Sequence, residues 1–355
     1  LGMSSGLFTA PGSYSDVEEM VSLGKTLSAS GARYFTHLRD EGNTVFDSVQ
    51  EAMEFAEQIR VHVQIVHMKL SGTDNWGGAV KAMEILADAR RGGVPIDCDI
   101  YPYTAASNPL KNLFPPWLQE GGVDAMIARL GDENIRNRLR EPIDAEGLNN
   151  FGRIPDWDAI RISISPDMPQ YAGRTIADIA AERGVDGFDM ALDYIVEDRG
   201  QTRVLVSSIA EDDVKDFVRS GDVMIGSDGN SVAPYGTTGQ GKPHPRFYGT
   251  FAKVLGQYSR DEELLPLHQA LWKMTGASAR ALGLKDRGIL RPGAAADVTI
   301  FDPVTIAQQA SYEEPHQFAS GIDQVIVNGT TVLRDGEHTG ALAGRTLRRQ
   351  TDFAA

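Results

Sequence analysis

Before residue 102, three segments with apolar side chains spaced three and four apart each give way to a short alternating run. Asp16 to Ala29 leads through Gly31 into Arg33-Tyr34-Phe35-Thr36-His37; Phe46 to Ile59 leads into Val61–His67; Ala79 to Ala89 leads through Gly92-Gly93 into Val94–Tyr101. The first pattern is that of a helix with one buried face, the second that of a strand. Helix and strand in repeated alternation are βα units, and βα units build parallel sheets.

The cadence fails between about Pro115 and Arg203, where Pro116-Trp117, Gly121-Gly122 and several polar helices intervene before the strand Asp222–Asp228. An insertion of that size is expected to be a lid or subdomain rather than a linker. Helical spacing returns over Phe251–Gln257 and Leu265–Leu282. Beyond Gly283 the short runs Gly288-Ile289-Leu290, Asp297–Phe301 and Gln324–Val327, separated by Gly, Pro and Asn, predict a small β unit.

A chain of 355 residues accommodates one sizeable domain and a smaller one. Its formal charge of −15 repels phosphate backbones and anionic lipid surfaces, which argues against nucleic acid and membranes as partners. An anionic small molecule would therefore need its own basic residues inside a shaped pocket. The single cysteine, Cys98, permits no internal disulfide and no cysteine-based structural zinc site, and fits a reducing, cytoplasmic setting. No apolar run approaches the roughly 20 residues of a membrane span. A homo-oligomer is left open. The opening Leu1-Gly2-Met3-Ser4-Ser5-Gly6 lacks an initiator Met and a signal-peptide pattern, and reads as an interior cut.

His37, His67 and Asp228 each end a predicted strand. In (β/α)8 barrels that C-terminal edge carries the active site, because the loops converge there. Taken singly, each has a plainer reading: a hydrogen-bonded strand-end histidine, or a turn-forming aspartate in Gly-Ser-Asp-Gly. Their common rim favours a metal site. Imidazole nitrogen and carboxylate oxygen suit zinc, and a catalytic zinc takes about three protein ligands and one open position.

Six segments carry a closer likeness: Thr36-His37-Leu38-Arg39-Asp40-Glu41-Gly42, Val66-His67-Met68-Lys69, Asp99–Ala105, Gly226-Ser227-Asp228-Gly229, His244–Phe251 and Gly288–Asp297. Together they resemble the N-acyl-D-amino-acid deacylases (D-aminoacylases) of the amidohydrolase superfamily. The resemblance implies a (β/α)8 barrel with strands five to eight in this chain. It places the barrel part at 1–284, with the insertion at about 115–203, and part of a small β-sandwich at 285–355. It implies zinc, one or two ions, held by His37, His67 and Asp228. Asp228 would also act as the catalytic acid and base. Arg246 would grip the substrate α-carboxylate, with Lys69, Tyr101 and Ser107 assisting. The substrate would be an N-acyl-D-amino acid, cleaved to a carboxylate and a free D-amino acid.

The first-strand His-x-His of the superfamily does not occur in these residues, so the chain is expected to correspond to roughly the C-terminal two thirds of such an enzyme, with the remaining ligands supplied from an N-terminal part. Two other readings stand: a cyclic-amide hydrolase of the dihydroorotase or hydantoinase kind, against which the Arg246 segment argues, and an inactive metal-binding remnant. His62, His268, His316 and His338 read as surface or structural residues, His244 as a residue that shapes the pocket, and Cys98 as a buried inert thiol.

Overall fold

The computed structural model describes residues 1–348. Four helix-linked strands come first: β1 (Gly2–Gly6), α1 (Val17–Ser30), β2 (Arg33–His37), α2 (Val45–Ile59), β3 (Val63–Ile65), α3 (Ala79–Arg91) and β4 (Ile96–Ile100). The interrupted region supplies β5 (Ala105–Pro109), α4 (Val123–Leu130), α5 (Glu133–Glu146), β6 (Ile160–Ile164), α6 (Ile176–Arg183), α7 (Gly187–Glu197) and β7 (Arg203–Ser207). Then follow α8 (Glu211–Arg219), β8 (Val223–Ile225), α9 (Arg246–Lys253), a π-helical stretch (Val254–Asp261), α10 (Leu267–Met274) and α11 (Gly276–Leu282). The chain continues through β9 (Val298–Phe301), β10 (Ile322–Val327), β11 (Thr330–Arg334) and β12 (Glu337–His338).

The main sheet runs β1-β2-β3-β4-β8, every pair parallel, with Gly6 opposite His37, Tyr34 opposite Val63, Val63 opposite Ile96 and Cys98 opposite Val223. Strands β3 and β8 are buried throughout, as strands covered on both faces must be. The helices that cover them start and stop on local chemistry. Asp16 caps α1 by accepting from Glu19 N at 2.8 Å, and Gly31 ends it at φ 59°, a conformation that costs glycine little. Val49, Ala56, Val63, Ile65, Leu86 and Ile96, each almost fully buried, belong to one core between sheet and helices.

The sequence suggested four parallel strands; there are five. Gly2–Gly6 pairs with β2 although its residues lack the β-branched signature, because register against Arg33–His37 decides the matter. The interrupted region has a sheet of its own, antiparallel and ordered β5-β7-β6, which begins at Ala105 and so reaches wider than the stretch in which the cadence fails. Leu113, Phe114, Phe151, Ile162, Tyr194 and Val206 form its separate core.

The terminal β unit is an antiparallel sheet, β12-β11-β10-β9. Gly288-Ile289-Leu290 is not one of its strands: Gly288 takes φ 78° and the run forms a bend. The predicted helix Leu265–Leu282 breaks at Thr275 into α10 and α11, and the Phe251–Gln257 helix is the end of α9 with the π-helical stretch. Among the described residues, no helix is long and apolar enough to cross a membrane.

Candidate metal centre

His37 is the last residue of β2, whereas β3 stops at Ile65 and β8 at Ile225, leaving His67 and Asp228 on the loops beyond. Both take left-handed backbone, φ 41° at His67 and φ 47° at Asp228, which costs a residue with a Cβ about 1 kcal/mol. At His67 the neighbouring strand holds that turn. Asp99 Oδ1 accepts from His67 N at 2.8 Å, its Oδ2 accepts from Gln64 Nε2 at 2.7 Å, and the Asp99 carbonyl accepts from Met68 N at 2.6 Å. Burial raises the Asp99 carboxyl above its ordinary range, and the bonds from His67 N and Gln64 Nε2 pull against that rise. Gly226 is required beside it, since a Cβ there would lie 2.8 Å from Asp99 Oδ1.

The outcome is two imidazoles in contact: His37 Nδ1 lies 3.1 Å from His67 Nε2. Glu41, four residues beyond His37, brings a third group. Its Oε2 lies 3.3 Å from His37 Nε2 and its Oε1 3.3 Å from His67 Nδ1, and one ligand atom from each of the three residues falls within 4.8 Å of the others. Phe8 stacks on the His37 ring with centroids 4.3 Å apart.

Burial pulls His37 down to about 4, so its ring is neutral at pH 7 and a lone pair is open to a metal. His37 Nε2 is buried and, despite its closeness to Glu41, outside hydrogen-bond geometry. A buried nitrogen with no hydrogen-bond partner among the described residues, beside a second imidazole and a carboxylate, is a donor set that fits zinc.

Glu41 and Lys69 form a buried ion pair, with Lys69 Nζ donating to Glu41 Oε1 at 2.5 Å and lying 2.7 Å from His67 Nδ1. Burial works to raise the Glu41 carboxyl, but His37 and the Lys69 ammonium outweigh it and hold it well below the usual carboxylate range. Burial lowers Lys69 and the Glu41 charge opposes that fall.

On the other side of the site, Arg246 begins α9 and places Nη2 2.8 Å from Asp228 Oδ2. Its guanidinium lies 4.6 Å from the centre of the Tyr101 ring, with Lys69 Nζ 5.4 Å from the same centre. Tyr101 is buried, and its hydroxyl and Arg246 Nε are both without a hydrogen-bond partner among the described residues. His244 is a brace: its Nδ1 accepts from Arg246 N at 3.0 Å and its Nε2 lies 2.8 Å from the Ala105 carbonyl. Burial keeps its ring neutral.

His37, His67 and Lys69 are thus gathered in one cluster, while Asp228 stands beside Arg246 and outside the three-residue group of possible ligands. Ser107 belongs to the antiparallel sheet, opposite Leu205. Sequence reasoning missed Glu41, although it lies in one of the segments that carried the likeness. Its signal was a carboxylate at four-residue spacing from a strand-end histidine. Asp99 was missed too, as an acidic residue inside an otherwise apolar strand. Away from the site, His62 pairs with Asp97 at 2.8 Å. Tyr248 and the Gly241 carbonyl hold His316.

Residues 21–333 match the amidohydrolase family. This chain belongs to that family. It is 33% identical over 349 residues to the D-aminoacylase of Alcaligenes xylosoxydans xylosoxydans, covering 98% of this chain and 61% of that relative. A solved D-aminoacylase superposes with a TM-score of 0.78 at 32% identity, over 98% of this amidohydrolase and 62% of the other chain. The N-acyl-D-glutamate deacylase of Bordetella bronchiseptica, solved with zinc and a phosphonate mimic of the tetrahedral intermediate, superposes with a TM-score of 0.75 at 29% identity, over 94% and 60% of the two chains. The chain therefore spans about three fifths of the length of these relatives. Dihydropyrimidinase of Brevibacillus agri, at 13% identity and a TM-score of 0.52, shares the fold alone.

Proposed function

We propose that the protein hydrolyses the amide bond of N-acyl-D-amino acids at a zinc centre to which His37, His67 and Asp228 contribute. The observation that carries this reading is the contact of two half-buried imidazoles, 3.1 Å apart, beside a buried arginine at the end of a parallel sheet. The chain-long similarity to D-aminoacylase supports the same reading.

A zinc ion bound there would polarise the amide carbonyl and lower the pKa of water at the site. The remaining work falls to side chains. Asp228 Oδ accepts the proton of the attacking water and returns it to the departing amine nitrogen. Arg246 holds the α-carboxylate through its two-pronged guanidinium, the local cation that a chain of charge −15 must supply for an anionic substrate. Tyr101, its hydroxyl unpartnered among the described residues, donates to the same substrate, and Lys69 and Ser107 complete the pocket. The five parallel strands belong, in this reading, to a (β/α)8 barrel spanning 1–284, with the insertion at about 115–203 and a small β-sandwich at 285–355, of which 349–355 lie outside the described residues. The enzyme works in the cytoplasm.

The test is zinc content together with release of free D-amino acid from N-acetyl-D-methionine and N-acetyl-D-glutamate by the full-length protein. A cyclic imide serves as the competing substrate. Release of D-amino acid that is lost in Asp228→Ala supports the reading. Zinc binding with hydrolysis of the cyclic imide alone overturns it in favour of the cyclic-amide chemistry.

A further inference from the structure

Asn150 is where the interrupted region touches the candidate metal centre. It sits in the tight turn closed by the Leu148–Gly152 bridge, 1% exposed, with φ 66°. Asparagine enters this left-handed region more readily than most residues with a side chain. Both ends of its amide are spent on one residue 109 positions away: Oδ1 accepts from Glu41 N at 2.9 Å and Nδ2 donates to Glu41 Oε2 at 3.3 Å. The amide orientation is forced, because a backbone N–H can only donate and a carboxylate can only accept.

Those two bonds fix a carboxylate that faces Lys69 and both imidazoles. The surrounding backbone is equally close. A Cβ on Gly42 would come 2.5 Å from Gly152 N, Thr73 N donates to the Arg153 carbonyl at 2.8 Å, and Ser71 N donates to the Glu41 carbonyl at 2.8 Å. The loops that follow β2 and β3, which carry Glu41 in the first and His67 and Lys69 in the second, lean on this one turn of the insertion.

We propose that Asn150 is a positioning residue for the metal centre: it sets the Glu41 carboxylate and, through it, Lys69 and the imidazoles of His37 and His67. The insertion is then a working part of the site. The inference rests on the zinc-amidohydrolase reading above. A partner that orients a ligating imidazole is worth about 10- to 100-fold in metal affinity or activity.

The experiment uses Asn150→Gly and Asn150→Asp in the full-length protein. Glycine tolerates the same φ and removes the amide; aspartate keeps an acceptor for Glu41 N but sets a second carboxylate against the first. Zinc affinity is measured by competition with a chromophoric chelator, kcat and KM on N-acetyl-D-methionine, and Tm as a check on folding. Both variants are expected to stay folded, to bind zinc about tenfold or more weakly, and to lose kcat more than they change KM. In a Glu41→Gln background, Asn150→Asp should add little, since its effect runs through that carboxylate. Unchanged zinc affinity and kcat, whatever the Tm, overturn the proposal, as do equal losses in both backgrounds. If the unsubstituted protein binds zinc and releases no D-amino acid, the deacylase reading fails and the zinc arm still decides the role of Asn150. If it binds no zinc, both fail.

Discussion

Arg246 and Asp228 hold each other, Nη2 to Oδ2 at 2.8 Å, with the arginine almost fully buried and 40% of the aspartate side chain exposed. In the proposed reaction both have other work, one gripping a carboxylate and the other moving a proton. Arg246 Nε is buried without a partner among the described residues, so the guanidinium has a further donor to offer an incoming anion. On that reading the substrate carboxylate and Asp228 share one cation, and binding of the first would loosen the second.

Truncation of Arg246 removes two charge-assisted hydrogen bonds, together about 3–4 kcal/mol. Arg246→Ala should lower kcat/KM for N-acetyl-D-methionine about 100- to 1,000-fold. Arg246→Lys should recover only part, lacking the fork. The α-carboxamide analogue of that substrate, which has no anion to grip, should be affected far less. Equal losses on acid and amide would show that Arg246 does not hold the carboxylate.

His37 gives the metal-free protein a specific acid sensitivity. Its ring is held at about 4 by burial, against 6.5 for an ordinary histidine. Between these values the unfolded chain takes up a proton that the folded chain refuses, so stability falls as the pH drops from about 6.5 to about 4. The loss is about 3 kcal/mol in size. Urea unfolding of chelator-treated protein at pH 7 and pH 4.5 measures it. His37→Asn should show a shallower fall, and an unaltered slope would place the sensitivity elsewhere.

Cys98, midway along β4, is fully buried, and burial together with the Asp99 charge pushes its thiol up to about 12. The thiolate is the reactive form. A thiol reagent at pH 8 should leave the native protein untouched and react with one equivalent after unfolding in urea. Rapid modification of native protein would mean that β4 opens on the timescale of the assay.

What the sequence disclosed follows the reach of local rules. The βα cadence and the placement of His37, His67 and Asp228 at or just beyond strand ends are properties of short windows, and they led to the parallel sheet and to the edge where these three residues lie. Glu41 and Asn150 escaped because their meaning lies in a contact 109 residues long, set by the packing of the insertion. Gly2–Gly6 escaped for the same reason: its strand state comes from its neighbour β2. Gly288–Leu290 misled in the other direction, since two branched residues after a glycine satisfy a strand pattern that the φ of 78° at Gly288 forbids.

Lys273 carries the last prediction, at the opposite end of the sheet from the site chemistry. A helix leaves its final carbonyls without partners, and α8 ends against the side chain of this fully buried lysine. Lys273 Nζ donates to the carbonyls of Phe217 at 3.4 Å and Ser220 at 2.6 Å, and also to that of Val218. Replacement by Met keeps the apolar stem and strands three acceptors, a loss of about 2–4 kcal/mol at pH 7. Burial lowers the amine to about 8, against 10.5 for an ordinary lysine. Between those values the unfolded chain holds a proton that the folded chain has released, so native stability rises with pH across that window. The neutral amine still donates. The gap between the native protein and Lys273→Met should therefore widen from pH 8 to pH 10 in urea titrations, and a gap that stays constant would mean that the lysine remains charged among its carbonyls.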